Sequence, residues 1–264
     1  MRGRSMASQL CNAANIGRIL WWAITLQDSY MSLIGSTDDI NISHYSIPIP
    51  SDPDERGKAS GDFKKTPSGV PIRHAQTIMG PFCRSAQAAV MVGQVLRVRL
   101  GALDRVLNED HIASLDHSIQ TLTFDLLEYA AHGWEEACSA IGLSVSSIVT
   151  LHETRLAAPN MDRSKDPYSV SAIRTATKIV IDTAYKFNTD RAFIAIPPLP
   201  IPATFAVWQA SMYHIEYAGE EFGSPQWNYE MNALVDALSQ FSRRWFVGSK
   251  FVMTLDFMQG YHRK

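Results

Sequence analysis

Between Ile112 and Tyr129 the large apolar residues fall three or four apart without a break: Ile112, Leu115, Ile119, Leu122, Leu126 and Tyr129. That spacing puts all six on one side of a 3.6-residue helix and does not fit the two-residue alternation of a strand. The segment is therefore an amphipathic α-helix that must bury one face. Asp110 is suited to cap its start and Gly133 to end it.

The same periodicity recurs along the chain. Apolar positions from Ile16 to Leu33 run through Ile19, Leu20, Ala23, Leu26 and Tyr30, with Gly35 as a stop. A helix from Ile78 or Pro81 to Leu107 carries the stripe Phe82, Ala86, Ala89, Val92, Leu96, Leu100, Leu103 and Leu107. Helices follow over 134–156, with a break expected near Gly142, and over 167–187, where Asp166–Pro167 reads as an N-cap with Pro at the first helical position. A Pro-rich loop then leads to a helix from Ala203 to Tyr217, and Ser224–Pro225 restarts the chain in the same way. The stripe Trp227, Met231, Leu234, Leu238, Phe241 and Trp245 precedes a last helix that packs through Phe251, Leu255 and Met258. No strand alternation, heptad run or repeat is present, so the expected fold is all-α, multi-helix, with a disordered loop near residues 51–71 where Pro, Gly, Lys, Asp and Ser dominate.

Charge and cysteine usage narrow the functions. The formal net charge is −2, which gives no global field toward nucleic acid or an anionic membrane. Cys11, Cys83 and Cys138 are isolated, with no CxxC pair and no His at zinc-finger spacing, so they read as thiols and no metal site is expected. Residues 192–215 lack formal charge over a bilayer's length, but Pro197, Pro198, Pro200 and Pro202 would strip helix hydrogen bonds there; no membrane span is expected.

Catalytic signatures are mostly missing. His152-Glu153-Thr154-Arg155 resembles the start of a zinc-protease helix, but Leu156 stands where the second His is needed. His152 reads instead as a partly buried, hydrogen-bonded histidine. The pairs Asp38–Asp39 and Glu135–Glu136 sit at adjacent positions that do not face one another, and Glu220–Glu221 reads as a solvated turn. Pro197 to Pro202 offers a polyproline ligand or, better, a rigid half-buried loop, and Arg243–Arg244 falls short of a basic patch.

The sharpest local pattern begins Arg18-Ile19-Leu20-Trp21-Trp22, continues through Asp28, Ser32, Gly35 and Ile40, and closes on Ile47-Pro48-Ile49-Pro50-Ser51. A Trp pair opening a helix anchors it by a large buried area, and the closing Pro-x-Pro holds the chain extended. This run resembles the fungal-specific transcription factor domain, the middle homology region of fungal binuclear zinc-cluster regulators. In that family an Arg-rich start, Leu-Trp-Trp, Asp-Arg, Ser, Gly-Arg-Pro, Ile and Pro-x-Pro follow in this order. Ser29, Ser36-Thr37 and His44 depart from it. Farther on, 138–156, 170–187 and 234–255 are similar to the family's later helices in order.

The resemblance implies that residues 1–50 form the C-terminal end of the core motif, 51–77 a flexible loop and 78–264 the C-terminal helical part of the same domain. It implies a nuclear, non-catalytic regulatory domain, with Arg18, Leu20, Trp21, Trp22, Asp28, Ser32, Gly35, Pro48 and Pro50 as the structural motif. The expected partners are proteins: a full-length family member or a coregulator. The chain lacks the family's six-cysteine cluster, so DNA is reached only through a missing domain or partner, and zinc is implied for that cluster alone. A truncated, inactive gene product is an alternative. A second alternative, from the residues themselves, is a small-molecule sensor with an effector pocket lined by Trp208, Tyr213 and Trp227. A third, an enzyme using His132, His152 or Glu153, rests on single residues.

Overall fold

The computed structural model describes residues 32–33, 81–104, 108–130, 134–157, 166–189, 201–243 and 246–262. They form α1 (Pro81–Asp104), α2 (Glu109–Ala130), α3 (Trp134–Ala157), α4 (Pro167–Thr189), α5 (Ile201–Glu216), a 3-10 turn (Gly219–Glu221), α6 (Pro225–Ser242) and α7 (Phe246–His262). Among the described residues there is no strand, so the fold is all-α. No helix among them is long and apolar enough to cross a membrane. Of the motif over 18–50 only Ser32 is described. It is helical and buried, and the adjoining Leu33 belongs to the same apolar core as the later helices. Arg18, Leu20, Trp21, Trp22, Asp28, Gly35, Pro48 and Pro50, the loop over 51–77, and the Pro-rich stretch up to residue 200 lie outside the described residues.

Helix α3 is the axis of the bundle and packs against α1, α2, α4 and α5. Every residue from Ala140 to His152 is buried, more than three turns, so no face of this stretch meets water. Its sequence explains how four neighbours fit around it. Gly142, Ser144, Ser146 and Ser147 are small, and they let other backbones approach closely. Two of the buried hydroxyls return to the helix or pair across it: Ser147 Oγ donates to the Leu143 carbonyl at 2.8 Å, and Ser144 shares a hydrogen bond with Thr123 of α2.

The expected break at Gly142 does not occur; α3 is continuous. A Cβ at Gly142 would lie 2.8 Å from the carbonyl carbon and oxygen of Pro202 and 2.9 Å from the Ala203 nitrogen. Glycine is there because the first turn of α5 crosses α3 backbone to backbone, a reason that sequence spacing cannot distinguish from a helix stop.

Helix starts follow local capping chemistry. Asn108, not Asp110, caps α2: its Oδ1 accepts from the His111 N–H at 3.1 Å, while Glu109 and Asp110 occupy the first turn, where negative charge suits the helix dipole. Asp166 caps α4 through the Ser169 N–H at 3.1 Å, with Pro167 following as expected. Ser224 caps α6 through the Trp227 N–H at 3.1 Å, again with Pro in the first turn. Between α5 and α6 the chain turns through Gly219 and Gly223, whose φ of 52° and 78° lie in the left-handed region. Glu220 and Glu221 are exposed on that turn.

Burial matches the periodicity closely. Ile112, Leu115, Ile119, Leu122 and Leu126 of α2 are buried, and Tyr129 is half-buried beneath the Arg84 guanidinium, 3.8 Å from its ring centre. In α6, Trp227, Met231, Leu234, Leu238 and Phe241 are buried, and in α7, Phe251 and Leu255. Each fully buried Leu or Ile contributes about 1.5–3 kcal/mol relative to exposure. Cys83 and Cys138 are buried thiols.

Candidate functional site

One charged residue sits where the α2 pattern demands an apolar one. Asp116 lies four residues after Ile112 and three before Ile119, so it faces the core and is 4% exposed. A carboxylate there needs hydrogen-bond donors, and three elements supply them. His152 of α3, fully buried, brings Nε2 to 3.2 Å from Asp116 Oδ1. Gln120 Nε2, one turn along α2, donates to the same oxygen at 2.9 Å. The Tyr168 hydroxyl of α4 donates to Oδ2 at 2.5 Å.

The network continues on the other side of the imidazole. His152 Nδ1 is 3.0 Å from Ser169 Oγ, which donates to Asp166 Oδ2 at 2.6 Å. A hydroxyl has one hydrogen; with it committed to Asp166, Ser169 is the acceptor from Nδ1. Arg155 closes the set, with Nε 3.4 Å from Asp166 Oδ2 and Nη2 3.1 Å from Glu109 Oε2. The α4 N-cap, the central helix and the α2 stripe are thus joined by one polar chain.

Burial would push the Asp116 carboxyl up, but hydrogen bonds from His152, Tyr168 and Gln120 outweigh it and hold it below the ordinary range. Asp166 is likewise lowered: burial opposes ionisation, while the Ser169 hydroxyl and N–H, with the Arg155 charge, overcome it. The Tyr168 hydroxyl is raised, first by its bond to Asp116 and then by burial.

Aspartate, histidine and serine in one chain invite comparison with a hydrolase triad, and the geometry argues against it. Ser169 gives its proton to Asp166 rather than to the imidazole, and both Ser169 and His152 are 0% exposed. A nucleophile must pass its proton to the base and meet a substrate carbonyl. Nothing in this arrangement does either.

Beside the network, at its solvent edge, lies a cavity of about 170 Å³ lined by Ala113, Asp116, His117, Gln120, Arg155 and Tyr168. A second, almost wholly apolar cavity between α3, α4, α5 and α6 measures about 30 Å³ and is walled by Cys138, Gly142, Ala184, Phe187, Ala206 and Phe241 among others. That is room for about one water-sized group, not for an effector.

The aromatic residues Trp208, Tyr213 and Trp227 line neither cavity. Trp208 stacks on Phe251 of α7 with ring centres 4.8 Å apart, and Tyr213 stacks on Tyr217 at 5.8 Å. Trp227 stacks on His214 at 5.3 Å and donates its indole N–H to the His214 carbonyl at 3.0 Å. His152, singled out by the zinc-protease comparison, is fully buried rather than half-buried, and hydrogen-bonded. Among the described residues no three of His, Cys, Asp and Glu converge as metal ligands. Asp116, Gln120 and Tyr168 carried no motif; their one sequence signal is the carboxylate at a stripe position of α2. Compared with family models, curated proteins and solved structures, the chain matches none of them.

Proposed function

We propose that the chain is a non-catalytic regulatory domain of a zinc-cluster transcription factor, acting in the nucleus through protein contacts and reaching DNA only through a domain or partner outside it. The observation that carries this reading is the sequence pattern from Arg18 to Pro50, in the order in which the family has it, together with the burial of Leu33 in the core of the later helices. Ser32 and Leu33, the two described residues of that stretch, are buried, which supports reading the motif and the later helices together.

A reporter assay tests this. Tethered to a heterologous DNA-binding domain, the chain should change reporter output several-fold, and the double variant W21A/W22A should abolish the change. Unchanged output from the tethered chain, or specific zinc-dependent DNA binding by the purified chain, would overturn the reading. The sensor alternative draws no support from Trp208, Tyr213 and Trp227, which stack on ring neighbours and line neither cavity.

A further inference from the structure

The polar cavity at the edge of the Asp116 network has the size, charge and acceptors of a ligand site. Its volume of about 170 Å³ compares with roughly 150 Å³ for a cavity that accepts benzene, so a compound of about six non-hydrogen atoms fits. Two formal charges stand in its wall, the Asp116 carboxylate and the Arg155 guanidinium, with His117 beside them, and the Arg155 charge is offset by its ion pairs to Glu109 and Asp166. Arg155 is ion-paired with both Glu109 and Asp166, although its Nε makes no hydrogen bond, so two carboxylates compete with any anion for it.

The acceptors are specific. A carboxylate offers about four lone-pair positions. Among the described residues, Asp116 Oδ1 takes Gln120 and His152 while Oδ2 takes only Tyr168, so one position remains on Oδ2. Gln120 gives its Nε2 to both Asp116 and the Tyr168 hydroxyl, which makes its amide oxygen the end able to accept. Tyr168, half-exposed, forms part of the wall, so an aromatic ring stands beside these acceptors. One carboxylate and one amide oxygen are too few for calcium, which takes six to eight oxygens.

We propose that this cavity binds a small primary ammonium compound, whose –NH3+ donates to Asp116 Oδ2 and Gln120 Oε1 beside the Tyr168 ring. Asp116, held ionised by its donors, keeps the charge that such a ligand needs. Binding here is independent of any role in transcription, since it is a property of the isolated chain.

The test is titration of the purified chain with butane-1,4-diammonium chloride, followed by calorimetry and NMR. Butane-1,4-diol serves as the uncharged control and magnesium chloride at equal ionic strength as the charge control. The expected result is saturable binding with a Kd of about 1 mM or tighter, as suits a ligand this small. The diol should not bind. Asp116→Asn should weaken binding at least about tenfold through loss of the charge-assisted bond, and Tyr168→Phe, which frees Oδ2, should bind as tightly or more so. If Asp116→Asn does not fold, Gln120→Leu on the exposed side of α2 takes its place, and wild-type affinity in that variant overturns the proposal. So does failure to saturate by about 20 mM, where a site of the expected affinity is nearly full. Equal displacement by magnesium, or a folded Asp116→Asn that binds within about twofold of wild type, also overturns it.

Discussion

Gly142→Ala and Gly101→Ala make the same chemical change in two helices and should move stability in opposite directions. Gly101 lies in α1, is exposed, and has nothing within 4 Å of an added Cβ. Alanine there should gain about 0.5–1 kcal/mol from helix propensity and the narrower unfolded ensemble. The same gain applies at Gly142, but its Cβ would meet backbone atoms of Pro202 and Ala203 at 2.8–2.9 Å. Backbone cannot swing aside as a side chain can. The overlap forces α5 away from α3, and such overpacking costs about 1–3 kcal/mol. The net expectation for Gly142→Ala is a loss of roughly 0.5–2 kcal/mol, against a gain for Gly101→Ala.

Urea unfolding followed by far-ultraviolet circular dichroism measures both variants. The midpoints should shift in opposite senses at an unchanged m-value, since neither variant alters the surface exposed on unfolding. In a thermal scan the two should separate by several degrees, at about 2–4 °C per kcal/mol for a domain of this size. If Gly142→Ala is as stabilising as Gly101→Ala, α5 does not cross α3 at Gly142, and the account of α3 as the tightly enclosed axis is wrong.

His152→Leu should cost about 1.5–3 kcal/mol, because it removes one of the three donors to the buried Asp116 carboxylate and leaves Gln120 and Tyr168; chemical denaturation of the single variant and of His152→Leu with Asp116→Leu reads this, and the double variant should recover part of the loss. Acid should destabilise the fold in a defined sense. The folded-state carboxyls of Asp116 and Asp166 are lowered, so their stabilisation is complete above the ordinary carboxyl range and is lost as pH falls through the lowered folded values. Stability measured between about pH 6 and 2 should therefore fall more steeply in wild type than in a folded Asp116→Asn variant, and equal slopes would refute this linkage. Ser224→Ala removes the cap accepted by the Trp227 N–H and should cost about 0.5–2 kcal/mol, visible as a lower urea midpoint; no change would mean that Pro225 alone fixes the start of α6.

The helices were legible in the sequence because each buries one face, and the three-and-four spacing of Ile112 to Leu126 or Trp227 to Phe241 records that burial directly. What spacing could not supply was the reason for an exception. Gly142 looks like a stop because glycine often ends helices, yet here it admits another backbone, and only the position of Pro202 separates the two cases. The candidate site was hidden for the same reason. Asp116, His152, Tyr168 and Ser169 belong to three helices, and their meeting depends on how α2 and α4 pack on α3. Yet the sequence does mark the place: a stripe built to bury apolar atoms carries one carboxylate between Leu115 and Ile119, and α3 carries one imidazole at the end of its buried run. A charge on an apolar face must find donors elsewhere in the fold, and a buried imidazole must find partners for two nitrogens. Each residue alone reads as an anomaly; paired, they satisfy one another, and they leave at their solvent edge a polar cavity with an acceptor to spare.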